Sequence, residues 1–294
     1  FYNSYLPEIA HPNEHDKLSA KGFSKGYIGS VLLLIASLIL VLKPEIFGIT
    51  DGSLPARISF VMVGLWWSGF SQITLNRLPD PIEKKKFTKK VLFNGYKELN
   101  KVWKQVKAIP NLKRYLIGFF FWSLSVQTIM NIASIFGTKE LNLESGQLIT
   151  TILIIQLIAV AGAYFFSWLS KNKGNKFSLS TSLIIWVGIT IGAYFVYTAM
   201  HFYVLAVVVG FVMGGVQSMS RSTYSKLMPK TKDTASFFSF YDVTEKVSIV
   251  IGTFSFGFIE EITGTMRNSI LLFGAFFLIG LLILSTVKMK FSRT

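Results

Sequence analysis

Eight mostly apolar stretches, at 22–42, 56–75, 115–136, 148–169, 179–198, 202–219, 236–259 and 268–287, constrain this chain more than any other feature. Each comes close to or exceeds the roughly 20 residues that a helix needs to cross the hydrocarbon of a bilayer. Composition agrees. Charged residues make up 15% of the 294, against about a quarter in soluble domains, and the mean hydropathy is +0.49. The expected fold class is all-α and integral to the membrane, with about eight transmembrane helices.

A basic segment divides these runs. Between Arg77 and Arg114 stand twelve Lys/Arg, among them Lys84, Lys85, Lys86, Lys89, Lys90, Lys97, Lys101, Lys104, Lys107 and Lys113, against the acids Asp80, Glu83 and Glu98. Loops this cationic stay cytoplasmic during insertion and fix the orientation of the helices around them. With that loop inside, twenty-five Lys/Arg fall on the inner side, four (Lys43, Arg57, Lys139, Arg267) outside, and Lys246 within a helix. Both ends are then expected in the cytoplasm. Leu92, Tyr96, Leu99, Trp103 and Val106 recur at helical steps, which predicts an amphipathic helix. Two readings stand for it: a helix lying on an anionic bilayer surface, favoured here, or a linker helix packed on the ends of the bundles.

Three regions follow. Residues 1–76 hold two spans preceded by what reads as the last turns of another helix, 1–10; residues 77–114 form the basic loop; residues 115–294 hold six spans. Many transporters pair two six-helix halves across a long cytoplasmic loop, so about four helices are expected upstream, and the chain reads as a fragment. Chain length and the +15 net charge do not argue for nucleic acid, because the basic residues sit between apolar runs. No cysteine is present, which removes disulfides and thiolate chemistry. The spacing of His11 and His15 lies in a polar loop with Pro12, His201 is remote, and no phosphate loop, zinc motif or nucleophile elbow occurs. No cofactor, metal or enzymatic activity is expected.

Charge within a bilayer is costly and by default marks a cavity or a partner helix. Run 236–259 carries Asp242, Glu245 and Lys246. Ser239, Asp242, Lys246 and Thr253 share a face by spacing, as a cavity wall or as a self-neutralising Asp242–Lys246 pair. Ser123, Gln127, Asn131 and Ser134 form a second polar stripe, which hydrogen-bonds across an interface or lines a wet cavity. Gly210, Gly214 and Gly215 read as a close-packing motif, and Gly22 and Gly26 carry the same meaning. Gln217 and Arg221 follow one turn apart; snorkelling suffices for Arg221, with a gating contact as the alternative. Trp122 and Trp168 read as interfacial belt residues.

Taken together, FYNSYLP at 1–7, GFSKGYIG at 22–29, Val126-Gln127-Thr128, GGVQSMSRS at 214–222 and FFSFY at 237–241 resemble the vacuole-effluxer branch of the major facilitator superfamily, known in bacteria as the unknown major facilitator family. The resemblance covers essentially the whole chain, from what would be the end of the fourth of twelve helices. It departs at 167–176, where Gly174 and Lys176 match the superfamily's loop but Lys171 stands at its acidic position, so the gate on this side is expected to be held differently. The resemblance implies a major-facilitator-like bundle in a bacterial cytoplasmic membrane. It also implies secondary transport of a small polar solute, with amino acids among those implied, by alternating access and proton coupling. Gln127, Asn131, Gln217, Asp242, Glu245 and Lys246 are the candidate pathway residues, and Lys171, Gly174, Lys176 and Arg221 the candidate gate. The competing reading is a non-transporting scaffold or partner subunit anchored through the basic loop. Lipid and a small solute are the expected partners, nucleic acid is not, and oligomeric state stays open.

Overall fold

The computed structural model describes residues 2–78, 90–231 and 233–289, with the backbone alone at 90–94. Lys84, Lys85, Lys86 and Lys89, the acids Asp80 and Glu83, Lys232, Lys290 and Arg293 lie outside the described residues, as do the side chains of Lys90 and Leu92. Every regular element among the described residues is helical. A 3-10 turn at Tyr2–Tyr5 leads into α1 (Leu6–Ile9), followed by α2 (His15–Leu42), a second 3-10 turn at Pro44–Phe47, α3 (Leu54–Leu75), α4 (Lys90–Ala108) and α5 (Pro110–Leu141). The chain continues through α6 (Ser145–Lys173), α7 (Asn175–Tyr194), α8 (Ala199–Leu227), α9 (Thr234–Thr263) and α10 (Met266–Ser285).

All eight apolar runs are helices, and seven are long and apolar enough to cross a membrane among the described residues. The eighth, α9, has the length at 30 residues but carries Asp242, Glu245 and Lys246 in its middle. The helix ends follow local chemistry. Pro110 opens α5 where a missing N–H costs nothing, and Glu144 and Gln147 form a capping box on α6. Thr198 and Thr265 accept from the backbone N–H of His201 and Arg267. Gly174 alone separates α6 from α7, at φ +89°, a conformation that a residue with a Cβ rarely adopts.

Helices α5 to α10 form one block: α6 lies along α8, α10 bridges α5 and α7, and α9 packs on α5. Lipid is as apolar as a leucine side chain, so such helices are held by close packing and hydrogen bonds rather than by exclusion of water. The α6–α8 seam shows how close. A Cβ on Gly162 would lie 1.9 Å from the Phe211 carbonyl oxygen, and one on Gly214 would lie 2.1 Å from that of Ala159. Gly26 departs from the packing expected of it, because an added Cβ there would meet nothing within 4 Å.

Helix α2 docks on α6 and α8 through its first half. Its buried positions Asp16, Ala20, Ser24, Tyr27 and Val31 recur every three to four residues, and beyond Val31 only Leu40 is buried. Helix α3 touches α2 and buries only Pro55, presenting Phe60, Leu65 and Trp67 outward.

Helix α4 corrects the sequence expectation in part. Val102 and Val106 are buried, and Trp103 stacks on Phe240 of α9 with ring centroids 5.8 Å apart. The C-terminal half of the helix is thus a linker packed on the bundle, while Tyr96 is 84% exposed. Val102 stands at steps of three and four from Leu99 and Val106, so the covered side is the stripe shifted towards Val102, where α9 and α5 pack.

Candidate functional site

A cavity of about 590 Å³ lies between the first half of α2 and helices α5, α6, α8 and α9. Its wall is mixed in chemistry. Phe119, Trp122, Met130 and Met213 give it apolar surface, while Gln127, Gln156, Gln217, Arg221 and Glu245 bring polar atoms to it.

Glu245 on α9 accepts a hydrogen bond from Gln127 Nε2 on α5 at 2.6 Å. Tyr27 on α2 donates to Gln217 Oε1 on α8 at 2.8 Å. The Oε1 of Gln156 is buried with no protein hydrogen-bond partner among the described residues. A buried amide oxygen of this kind is costly unless something donates to it.

Arg221 is 6% exposed, so the snorkelling expectation is overturned. Its guanidinium turns inward because neutral acceptors wait there: Nε donates to Ser19 Oγ at 3.0 Å, Nη2 to Ser19 O at 2.9 Å and Nη1 to Asn3 Oδ1 at 3.0 Å. The Phe23 ring lies 4.5 Å from its central carbon, a cation–π distance. Trp122 likewise departs from the belt role. It is fully buried, and its Nε1 donates to Ser220 Oγ at 3.1 Å. Trp168 is 60% exposed.

One end of the cavity is sealed by polar contacts between the start of the chain and α6–α9. Asp16 accepts from Ser170 Oγ, Asn175 Nδ2 and Lys226 Nζ, each at 2.7 Å. Lys226 also donates to Asn175 Oδ1 at 2.9 Å. Ser19 donates to Ser218 O at 2.7 Å, Asn3 donates to Asp242 Oδ1 at 3.2 Å, and Thr234 donates to Glu8 in a short contact. The acid missing at Lys171 is thereby accounted for: Lys171 is exposed, and α2 supplies Asp16 to the same loop. Gly174 makes the turn that brings Ser170 and Asn175 to that carboxylate. Lys176 points elsewhere, donating to the carbonyls of Ser285 and, at 3.0 Å, Val287 at the end of α10.

The other pathway candidates divide. Gln127, Gln217 and Glu245 line the cavity with Arg221. Asn131 is exposed away from it, as is Lys246, while Asp242 sits in the seal. No Asp242–Lys246 ion pair forms among the described residues. The inward face of α9 runs through Phe238, Tyr241, Ser248 and Gly252, not through Ser239, Lys246 and Thr253, which are exposed. Asn3, Asp16, Ser19, Tyr27 and Lys226 escaped the sequence reading. The signal for three of them, Asp16, Ser19 and Tyr27, was present as the spacing of small and polar residues along α2, but a helix face is usually sought through its apolar residues.

Comparison with known proteins bears on the family and the fold. The chain is 26% identical over 291 residues to an uncharacterized MFS-type transporter, YxiO, of Bacillus subtilis (strain 168), covering 98% of this chain and 67% of the relative. It is 28% identical over 270 residues to autophagy-related protein 22 of Eremothecium gossypii, covering 86% of this chain and 52% of that one. It thus spans between half and two thirds of the length of these relatives. A crystal structure of the Escherichia coli fucose:proton symporter FucP superposes with a TM-score of 0.69 at 11% identity, over 98% of this chain and 73% of that one. The family model described as vacuole effluxer Atg22 like matches residues 1–294. The chain is a multi-pass membrane protein with a major-facilitator-like fold, and it belongs to the vacuole effluxer Atg22-like family.

Proposed function

We propose that this chain forms the substrate-handling part of a secondary transporter that moves a small polar solute by alternating access. The observation that carries the reading is a single cavity with Glu245 and Arg221 both on its wall, closed at one end by the Asp16 and Asn3 contacts. A carboxylate and a guanidinium in one cavity suit a zwitterion, which makes amino acids the first solutes to test. Charge buried this way in a membrane helix marks a solute or ion pathway, and Glu245 is the group assigned to carry a coupled proton. The positive-inside rule puts the sealed end on the cytoplasmic side, with the basic loop and the C-terminus, in a bacterial cytoplasmic membrane.

The experiment is counterflow of a panel of radiolabelled amino acids into liposomes containing the intact protein, with and without a proton gradient. Exchange that Gln127→Ala weakens supports the reading. Absence of exchange for every solute in the panel would overturn it and favour a non-transporting scaffold.

A further inference from the structure

Arg221 has an unusual set of partners for a buried cation. Among the described residues no ion pair reaches it. Its hydrogen bonds go to Asn3, Ser19 and the Tyr2 hydroxyl, all neutral, and the carboxylate of Asp242 is engaged only indirectly, through the amide of Asn3. Neutral acceptors hold a guanidinium less strongly than a carboxylate, which can take two of its N–H groups side by side. The same guanidinium lies on the cavity wall. Gly22 keeps the approach to it clear, since even a Cβ there would stand 3.1 Å from Nη2.

All three partners come from residues 2–42, the side of the seal opposite α8. Whatever takes Arg221 away from them therefore loosens α2 and the start of the chain from α8. We propose that an anionic group of the ligand, a carboxylate by charge and size, competes with Asn3 and Ser19 for Arg221, so that filling the cavity weakens the seal beneath it. This deepens the transport reading and rests on it. The Asp16–Lys226 contact lies outside the exchange and holds until the Arg221 contacts have gone. Occupancy and seal are then reciprocally linked: an anion that weakens the seal by some factor must bind more tightly, by the same factor, to a protein whose seal is already weak.

The absence of cysteine makes accessibility a clean readout. Ser24→Cys is nearly isosteric, and Ser24 is fully buried on the docked face of α2; Ala20→Cys, equally buried, serves as a second reporter. The intact protein in liposomes is labelled with a small maleimide in the presence of propionate or of propionamide, which has the same shape without the charge. Propionate is expected to accelerate labelling about 5-fold or more, the lower end of ordinary coupling between sites, and propionamide to leave it unchanged. Arg221→Gln should label rapidly from the start and ignore propionate, with Arg221→Lys intermediate. Asn3→Ala should raise the basal rate and lower the half-saturating propionate concentration by a similar factor. Equal effects of propionate and propionamide on the wild-type background would overturn the proposal, as would a propionate response that survives in Arg221→Gln. Solute exchange with propionate-indifferent labelling sinks the coupling alone, whereas propionate-sensitive labelling without any exchange sinks the transport reading.

Discussion

Lys226 Nζ stands 2.7 Å from Asp16 Oδ2, joining α8 to α2 across 210 residues of sequence. The Asp16 side chain is 7% exposed and that of Lys226 25%, so the pair is largely removed from solvent. Ser170 and Asn175 occupy the remaining carboxylate sites, which is what lets a buried acid stay in place.

Removing one partner of such a pair leaves the other charge buried. Asp16→Asn is expected to lower stability by about 2 kcal/mol, below the usual range for a fully buried pair because Lys226 keeps some contact with solvent. The combination Asp16→Asn with Lys226→Met should cost less than the sum of the single changes. Thermal unfolding in detergent measures both, and a wild-type melting temperature for Asp16→Asn would show that the pair contributes nothing.

Glu245 accepts from Gln127 inside the cavity. Glu245→Gln keeps the shape and removes the titrating group, so uptake driven by a proton gradient should be lost while solute exchange persists. Gradient-driven uptake that continues in this variant would remove Glu245 from the coupling role.

The α6–α8 seam depends on bare backbone. Gly162→Ala and Gly214→Ala each put a carbon within 2.1 Å of a carbonyl oxygen, and each should cost about 1–3 kcal/mol as the helices are forced apart. Gly188→Ala is the control, because nothing lies within 4 Å of an added Cβ there. The yield of monodisperse protein should fall for the first two and hold for the third; equal yields would mean that the seam relaxes freely.

Trp103 ties α4 to the bundle through Phe240. Trp103→Ala is expected to cost about 2 kcal/mol of local docking, less than a fully buried tryptophan, and to expose Lys97, Lys101 and Lys104 to trypsin while α5 to α10 stay resistant. Unchanged cleavage rates would show that α4 is held by Val102 and Val106 alone.

The number of long helices and their approximate positions were legible in the chain, because a bilayer imposes a length and an apolarity that a linear scan detects; the polar turns at their ends were not. Gly210 and Gly214 on the α8 side of the α6–α8 seam were legible as small residues at helical spacing, whereas Gly162 of α6 was not, and the same rule also selected Gly26, which packs on nothing. Gln127, Gln217 and Glu245 were found as polar atoms in apolar helices, yet the same rule also selected Asn131 and Lys246, which lie outside the cavity. Polarity marks a residue as expensive to bury. It does not say which side of the helix will be covered.

That side was decided by tertiary structure. Arg221 looked free to reach the membrane surface until Ser19 and Asn3, some two hundred residues away, supplied acceptors inside. Lys171 looked like a lost gate residue until Asp16 arrived from another helix. Sequence by itself determined that this chain folds as membrane-spanning helices, since hydropathy is a property of each segment alone. Only the folded bundle decided the cavity and its seal, because both are made of hydrogen bonds and charges contributed by segments that first meet when the helices pack.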